Sequence, residues 1–476
     1  MCAKLVRKLH RYYSGESTGM ARLFGLALVW LSILTLPPGV AAGGENAGRS
    51  IVLPNGLKVF LYEKHDLPLV NLSIAVNAGS KDETAGTSGV AHLLEHCMLF
   101  RGTEFRSGSE VSRDVRSRGA YFNANTGPDL TVFEFSCPSE QAGFALRNQK
   151  EIVFDFALTP AELESEKAVI LEEMSQREDD PERHGTDLLM QHLFEGHPYG
   201  RPLAGRAEVV RSVRVEDLAT FHAKYFVPNN CALAMVGDFK TEDMEAEIRE
   251  VFGPLKTSDV PAAVCPKVGL LGKNASFEEQ KDVKEGYLLF GWIGPDYNHP
   301  DQYAVNLLAE VLGRGVNPLL NAALRSRWDL VQSMTMSYIP GRFGGAIIVS
   351  LKLEPKNIPA ATREALNYLR RCHTENFSKD DYPGDERFAA FDYLGSAQNQ
   401  IRFAAEQAEE SGLVLASSLA RFMLLNDREK PGRFLDRIAR TTSSDLRKAA
   451  AVYFGRGGSV VVSIVPKRAE KGAGNK

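Results

Sequence analysis

Gly89-Val90-Ala91-His92-Leu93-Leu94-Glu95-His96 is the stretch that decides how the rest of the chain is read. Alanine and leucine fill it, and neither Gly nor Pro interrupts it after position 89, so it favours a helix. At roughly 3.6 residues per turn, His92 and His96 fall one turn apart on the same face, with Glu95 beside them. Two imidazoles at that spacing can hold one zinc ion. A carboxylate next to the metal can take a proton from a water bound there. The order H-x-x-E-H is the reverse of the H-E-x-x-H helix that serves the same chemistry. Without a metal, two histidines and a glutamate on an apolar helix would each need another partner on burial. The pattern also arises by chance in long chains, so it needs support from elsewhere in the sequence.

That support lies in residues 160–177. Glu166 and Glu173 are seven residues apart, hence on the same side of a helix, and Val169 and Ile170 are read on that side too. A zinc ion with two neutral imidazoles wants a third protein ligand, usually an anionic one. Glu173 can supply it, and Glu166 can sit behind and orient a ligand. Glu162, Glu164, Glu172 and Glu178 make a solvated acidic face an alternative description. Periodicity alone does not choose Glu173 over Glu172.

The 476 residues are 44% hydrophobic and 24% charged, an ordinary globular profile whose length implies two or more domains. A formal net charge of -4 gives no basic footprint for nucleic acid. Beyond Cys2 the cysteines are scattered and form no C-x-x-C, so neither a disulfide framework nor a zinc ribbon is indicated. Cys97 adjoins His96 but is rotated about 100° around the helix from it, and reads as packing. At the N-terminus, Lys4, Arg7, Lys8, Arg11 and Arg22 precede an apolar run from Leu23 to Leu36, then Pro37-Pro38 and Val40-Ala41-Ala42. Residues 1–42 therefore read as a secretory signal, with Met1 and Met20 both available as starts. The run is short for a bilayer span. The expected location is periplasmic or secreted, the alternative an inner-membrane anchor.

Further along, residues 51–63 suggest two strands around the turn Pro54-Asn55-Gly56, and residues 70–76 a third. Helices are expected over 109–118, 141–156, 215–225 and 241–252. Strands are expected over 121–125, 131–136 and 231–236. Residues 43–257 read as one domain, 258–283 as a Pro- and Lys-rich linker, and 284–470 as a second domain. The second half echoes the first. Strand 286–292 answers 70–76 and strand 459–465 answers 231–236. Between them come helices at 303–312, 318–325, 358–372 and 384–426 and a strand at 345–353, as in an internal duplication. The second copy has no H-x-x-E-H, and its Gly-rich turns at 313–315 and 455–458 lack a phosphate-loop signature.

These residues resemble the pitrilysin/insulinase-type zinc metallopeptidases, the M16 family, and in particular its processing-peptidase-like bacterial members. Five motifs carry the resemblance, in the family's order. The first is Gly89 to His96 followed by Phe100-Arg101-Gly102-Thr103. The second is Gly119 to Thr126 with Asp129 and Thr131. The third is Glu166 and Glu173 around Val169-Ile170-Leu171, ahead of Met174. The last two are His197-Pro198-Tyr199-Gly200 and Pro228-Asn229-Asn230 running into Val236-Gly237-Asp238. The resemblance implies an α+β fold of two homologous domains, each a mostly antiparallel sheet packed with helices, facing each other like a clam shell. It implies His92, His96 and Glu173 as ligands of one zinc, Glu95 as general base and Glu166 in support. It further implies a peptide accepted by edge pairing near Thr131–Phe135, with Asn123 and Ala124 beside the scissile bond.

Two departures stand out. Phe100 follows His96 by four residues where the family has three. In the second domain, self-sufficient members bind the substrate carbonyl with an Arg and a Tyr seven residues later. Here Arg325 matches the Arg, but Gln332 stands at the Tyr position, and Tyr338 lies six residues further on a strand. The leading expectation is a zinc endopeptidase acting on peptides, the metal-carrying subunit of a heterodimer with a zinc-free homologue that supplies the Arg/Tyr pair. The alternative is a non-catalytic homologue serving as a binding or assembly subunit. Zinc transport or storage is a third possibility, which would want more exposed histidine.

Overall fold

The computed structural model describes residues 48–262, 265–315, 318–375, 377, 392–425 and 433–467. The expected leader, residues 1–42, lies outside them. Among the described residues no helix is long and apolar enough to cross a membrane.

Two sheets organise the chain. The first contains β1 (Arg49–Val52), β2 (Lys58–Glu63), β3 (Leu69–Val76), β4 (Tyr121–Thr126), β5 (Thr131–Pro138) and β6 (Cys231–Gly237), in the order β1-β2-β6-β3-β5-β4. The second contains β7 (Ala275–Lys281), β8 (Gly286–Gly294), β9 (Ser333–Ile339), β10 (Gly345–Leu353) and β11 (Val460–Pro466), in the order β7-β11-β8-β10-β9. The two orders superpose strand for strand once β1 is set aside. Each has one parallel pair, β2 with β6 and β7 with β11, and is otherwise antiparallel. The expected equivalences of β3 with β8 and β6 with β11 both appear in this pattern.

Residues 275–281 were expected inside a linker and instead form the edge strand β7. The sequence Ala-Ser-Phe-Glu-Glu-Gln-Lys lacks an apolar face because this strand is mostly exposed and pairs only with β11. The stretch 384–426 was expected as continuous helix. Its described part is two helices, 393–410 and 412–425, divided at Ser411, where Gly412 weakens helix continuity.

Helices α1 (Val90–Phe100), α2 (Ala142–Phe154), α3 (Pro160–Asp179), α4 (Pro181–Leu193) and α5 (Gly412–Leu425) position the site. On the first sheet, one face buries Leu72, Ile74, Phe133 and Phe135 against the apolar sides of α1 and α2, including Leu93, Leu94, Leu146 and Ile152. The other face carries small residues, Ala75, Ala232 and Ala234, and receives Leu415, Ala416, Leu419 and Ala420 of α5, a helix from the second half. The exchange is reciprocal. Leu189 and Leu193 of α4, from the first half, pack on Leu289, Ile348, Val462 and Ile464 of the second sheet. Gly185 permits the close approach of α4, since a Cβ there would meet Leu289 Cδ1 at 2.8 Å. Each half thus covers an apolar sheet face of the other, and separating them would expose both faces to water.

Candidate functional site

Helix α1 begins at Gly89, whose φ of +95° is in the region that favours glycine. Its first turn is held by the buried Glu83, which accepts the backbone N–H groups of Gly89 and Ala91, each at 2.9 Å. The side chain thus satisfies donors that a helix start leaves open. Burial pushes the Glu83 carboxyl up to about 8, against those two hydrogen bonds. Arg201, just past His197–Gly200, donates to the Glu83 carbonyl. Sequence reading did not single out Glu83, because a cap six residues ahead of the first turn carries no periodic cue.

The apolar side of α1 is buried against the first sheet, and Cys97 is fully buried with burial raising its thiol pKa, in keeping with a packing role. On the other side His92 and His96 meet edge to face, ring centroids 4.7 Å apart. Helix α3 crosses against α1. It begins at Thr159, whose hydroxyl accepts from Glu162 N–H in a reciprocal cap, with Pro160 in the first turn. Glu173 of α3 places Oε2 at 3.7 Å from His96 Nε2, and Glu166 places Oε2 at 3.4 Å from His96 Nδ1. Among the described residues, His92, His96 and Glu173 form one group able to hold a metal ion, with ligand atoms no more than 4.8 Å apart. Glu172 is exposed and accepts from Gln176 Nε2, so tertiary contact separates two neighbours that periodicity could not. Val169, expected on the inward side, is 42% exposed, whereas Ile170 is fully buried. At about 100° per residue, position 170 lies closer than 169 to the direction of Glu166.

The electrostatics follow from burial. Desolvation, with help from His96 and Arg177, pulls His92 down to about 3, so its imidazole is neutral. Its Nδ1 is buried without a hydrogen-bond partner, and His96 Nδ1 has the Glu166 carboxylate at 3.4 Å as an ion-pair contact rather than a hydrogen bond. For His96, burial alone would lower the pKa, but Glu166, Glu95 and Glu173 together raise it. Glu166, 2% exposed, forms an ion pair with Arg101 Nη2 at 2.5 Å, and its other oxygen is the one facing His96. Glu95 is buried and receives the Thr126 hydroxyl on Oε2 at 3.2 Å. Burial pushes its carboxyl up to about 7. Thr126 and Arg101 sit inside the quoted motifs, but nothing in their spacing announced these contacts.

The strand expected to receive a peptide is corrected. Thr131–Phe135 belongs to β5, which is paired on both sides, with β3 and with β4. The free edge is β4, which carries exposed Asn123 and half-buried Ala124, registered against Glu134 and Phe133. Arg325 is exposed in the helical turn Ala322–Arg327. The turn after it contains Asp329 at φ +50°, a left-handed position in a non-glycine residue. Gln332 is exposed and donates to Glu285 Oε2 at 2.7 Å. Tyr338 is 1% exposed and its hydroxyl donates to the Pro295 carbonyl at 2.9 Å, so it does not substitute for the missing Tyr.

Two more motifs meet between the halves. The Tyr199 hydroxyl donates to Asp129 Oδ1 at 2.7 Å, and Arg342 N–H donates to Asp129 Oδ2 at 3.0 Å. Phe343 N–H donates back to the Tyr199 oxygen at 3.3 Å. The turn between β4 and β5 is thereby fastened to the β9–β10 hairpin of the second half.

Fold and cluster together define a two-domain α+β protein with a two-histidine, one-carboxylate group able to hold a metal ion on its first half. Residues 58–207 match the family model "Insulinase (Peptidase family M16)", and residues 212–383 match "Peptidase M16 inactive domain". The chain belongs to the M16 peptidase family. It is 24% identical to an uncharacterized zinc protease of Rickettsia bellii, over 84% of this chain and 94% of the relative. It is 29% identical to an uncharacterized zinc protease of Mycobacterium tuberculosis, over 68% of this chain and 74% of the relative. Among solved structures, a protease from Helicobacter pylori superposes with a TM-score of 0.79 at 22% identity, covering 88% of this chain and 100% of the other. A peptidase M16 inactive domain from Pseudomonas fluorescens also gives 0.79, at 21% identity, over 89% of this chain and 99% of the other. These two structures bear on the fold.

Proposed function

We propose that the chain is a zinc-dependent endopeptidase that hydrolyses peptides. The observation that carries this reading is the meeting of His92, His96 and Glu173 within 4.8 Å, with the buried Glu95 next to them on α1. The donor set fits zinc. One imidazole is held neutral, His92 Nδ1 has no other partner, and the third ligand is a carboxylate. Glu173 keeps its side chain 42% exposed, which leaves a route in for the ion and the substrate. Zinc held there would polarise the scissile carbonyl and acidify a water.

The residues of the chain do the rest. Glu95, raised towards neutrality by burial and steadied by Thr126, takes a proton from the attacking water and returns it to the leaving amine. Glu166, backed by Arg101, holds the His96 ring in orientation through Nδ1. The free edge of β4 pairs with the substrate backbone and lays it past Asn123 and Ala124. The decisive experiment is Glu95→Gln. The variant should bind about one zinc per chain and cleave no quenched peptide, because the amide cannot accept the proton. Cleavage at the parent rate would overturn the mechanism, and a parent that cleaves nothing even with a zinc-free homologue added would favour a binding or assembly role.

A second chain enters this reading for a specific reason. Gln332 is engaged by Glu285 and Tyr338 is buried on Pro295, so neither offers a phenol to the substrate carbonyl. Loss of one such donor typically costs about a hundredfold or more in rate. The chain is therefore proposed as the zinc-bearing member of a heterodimer whose zinc-free homologue supplies the Arg/Tyr pair. Unchanged activity of the purified chain on adding that homologue would sink the pairing. Export to the periplasm or beyond is proposed from residues 1–42, and N-terminal sequencing of the mature protein should start near Gly43. A product that keeps Leu23–Leu36 in the inner membrane would favour the anchor instead.

A further inference from the structure

A cavity of about 210 Å³ lies between the two halves, and both line it. Asn125 and Thr126 contribute from the end of β4, Phe194 from just past α4, Ile339 from β9, and Arg421 and Phe422 from α5. Thr126 is also the residue that holds Glu95, so this space opens immediately along β4 from Asn123 and Ala124. Most of the wall is apolar. Arg421 is the one cation among the described residues that line it. It projects from a helix of the second half that lies across the first sheet, and it is partly buried there.

The guanidinium of Arg421 has five N–H donors. Its hydrogen bond is a long one, from Nε to Ser417 Oγ at 3.4 Å. No carboxylate among the described residues comes within ion-pair distance of it. Two acidic groups face the region. Asp129 lines the cavity, but its oxygens are taken by the Tyr199 hydroxyl and the Arg342 N–H. Glu134 of β5 attracts the guanidinium without forming an ion pair with it, and desolvation still leaves Arg421 below its ordinary pKa. Burying a cation with unspent donors costs stability unless something else uses them. A planar fork of donors at the end of an apolar wall, beside the edge that takes the peptide, suits a carboxylate.

We propose that Arg421 makes this cavity a subsite for an anionic group of the peptide substrate, either an acidic side chain or the terminal carboxylate. The inference rests on the peptidase reading of the same site. In this role Arg421 contacts substrate and sets specificity, while the proton transfers stay with Glu95.

The test uses the full chain with zinc and quenched peptides that differ only in charge. One series exchanges Glu for Gln at each position, and the other exchanges a free C-terminus for its amide. The parent should favour the anionic member of one series by about tenfold or more in kcat/KM, as a charge-assisted hydrogen bond provides. The series that responds identifies the side chain or the terminus as the source. Arg421→Met, which keeps length and loses charge, should bring the ratio to within about twofold of one, and Arg421→Lys should retain part of it. Zinc content and thermal melting establish that each variant is folded. A parallel arm measures fluorescence anisotropy of the same peptides on Glu95→Gln and on Glu95→Gln/Arg421→Met. If the parent cleaves nothing even with the zinc-free homologue added, the peptidase reading fails, and the binding ratio still decides the subsite. Equal handling of anionic and neutral peptides by the parent overturns the proposal, as does a preference that survives in Arg421→Met.

Discussion

Glu166→Gln is the sharpest probe of how α3 serves the proposed metal site. Glu166 is 2% exposed and lies between two partners, His96 Nδ1 at 3.4 Å and Arg101 Nη2 at 2.5 Å. The amide is nearly isosteric, so the substitution removes charge and one acceptor while filling the same space. Two consequences follow. His96 loses the anion that orients its ring and raises its basicity, and outer-partner losses of this kind cost about 10–100-fold in metal affinity. That is about 1.4–2.7 kcal/mol of zinc binding. Arg101 loses its counter-charge. A fully buried pair broken in this way costs about 3–5 kcal/mol, but the Arg101 side chain is 29% exposed, which brings the expected stability loss to about 1–3 kcal/mol. Zinc affinity should be measured by competition with a chromophoric chelator, and stability by denaturant unfolding of the metal-free chain. Zinc affinity within about twofold of the parent would refute the orienting role. A stability change under about 0.5 kcal/mol would refute the structural one.

Tyr199→Phe should destabilise the chain by about 2–3 kcal/mol, because it strips Asp129 of a charged hydrogen bond and leaves Phe343 N–H without its acceptor. Denaturant titration checks it, and a loss below about 0.5 kcal/mol would show that the junction carries no weight. Leu189→Ala should cost about 2–5 kcal/mol although it lies far in sequence from the second sheet, since its fully buried side chain packs there. A near-neutral result in the same titration would contradict the exchange of helices between the halves. Glu83 gives a pH dependence. Its folded pKa of about 8 lies above the unfolded value, so its contribution is full below about 4.5 and is lost as pH rises through about 8. Thermal melting of the metal-free parent should therefore fall from about pH 5 to 8 more steeply than that of Glu83→Gln, and parallel curves would discount the effect.

The sequence by itself determined the local chemistry and most of the elements. His92, Glu95 and His96 were legible because one turn of helix fixes their relation regardless of what packs around it. The strands 70–76 and 231–236, with their second-half counterparts, were legible from β-branched residues and alternation in the first and from an apolar run in the second. Elements without such a pattern escaped. β7 is a polar edge, and α4 shows a mixed surface because the sheet it covers belongs to the other half. What only the tertiary structure decided were relations across long sequence separations. It placed Glu173 rather than Glu172 by His96, made β4 rather than β5 the free edge, and joined Asp129 to Tyr199. It also set Arg421 in the cavity beside Thr126. Periodicity fixes which side of its own element a residue occupies. Which element that side meets is set by the packing of two sheets and their exchanged helices, and residues hundreds of positions apart become neighbours only there.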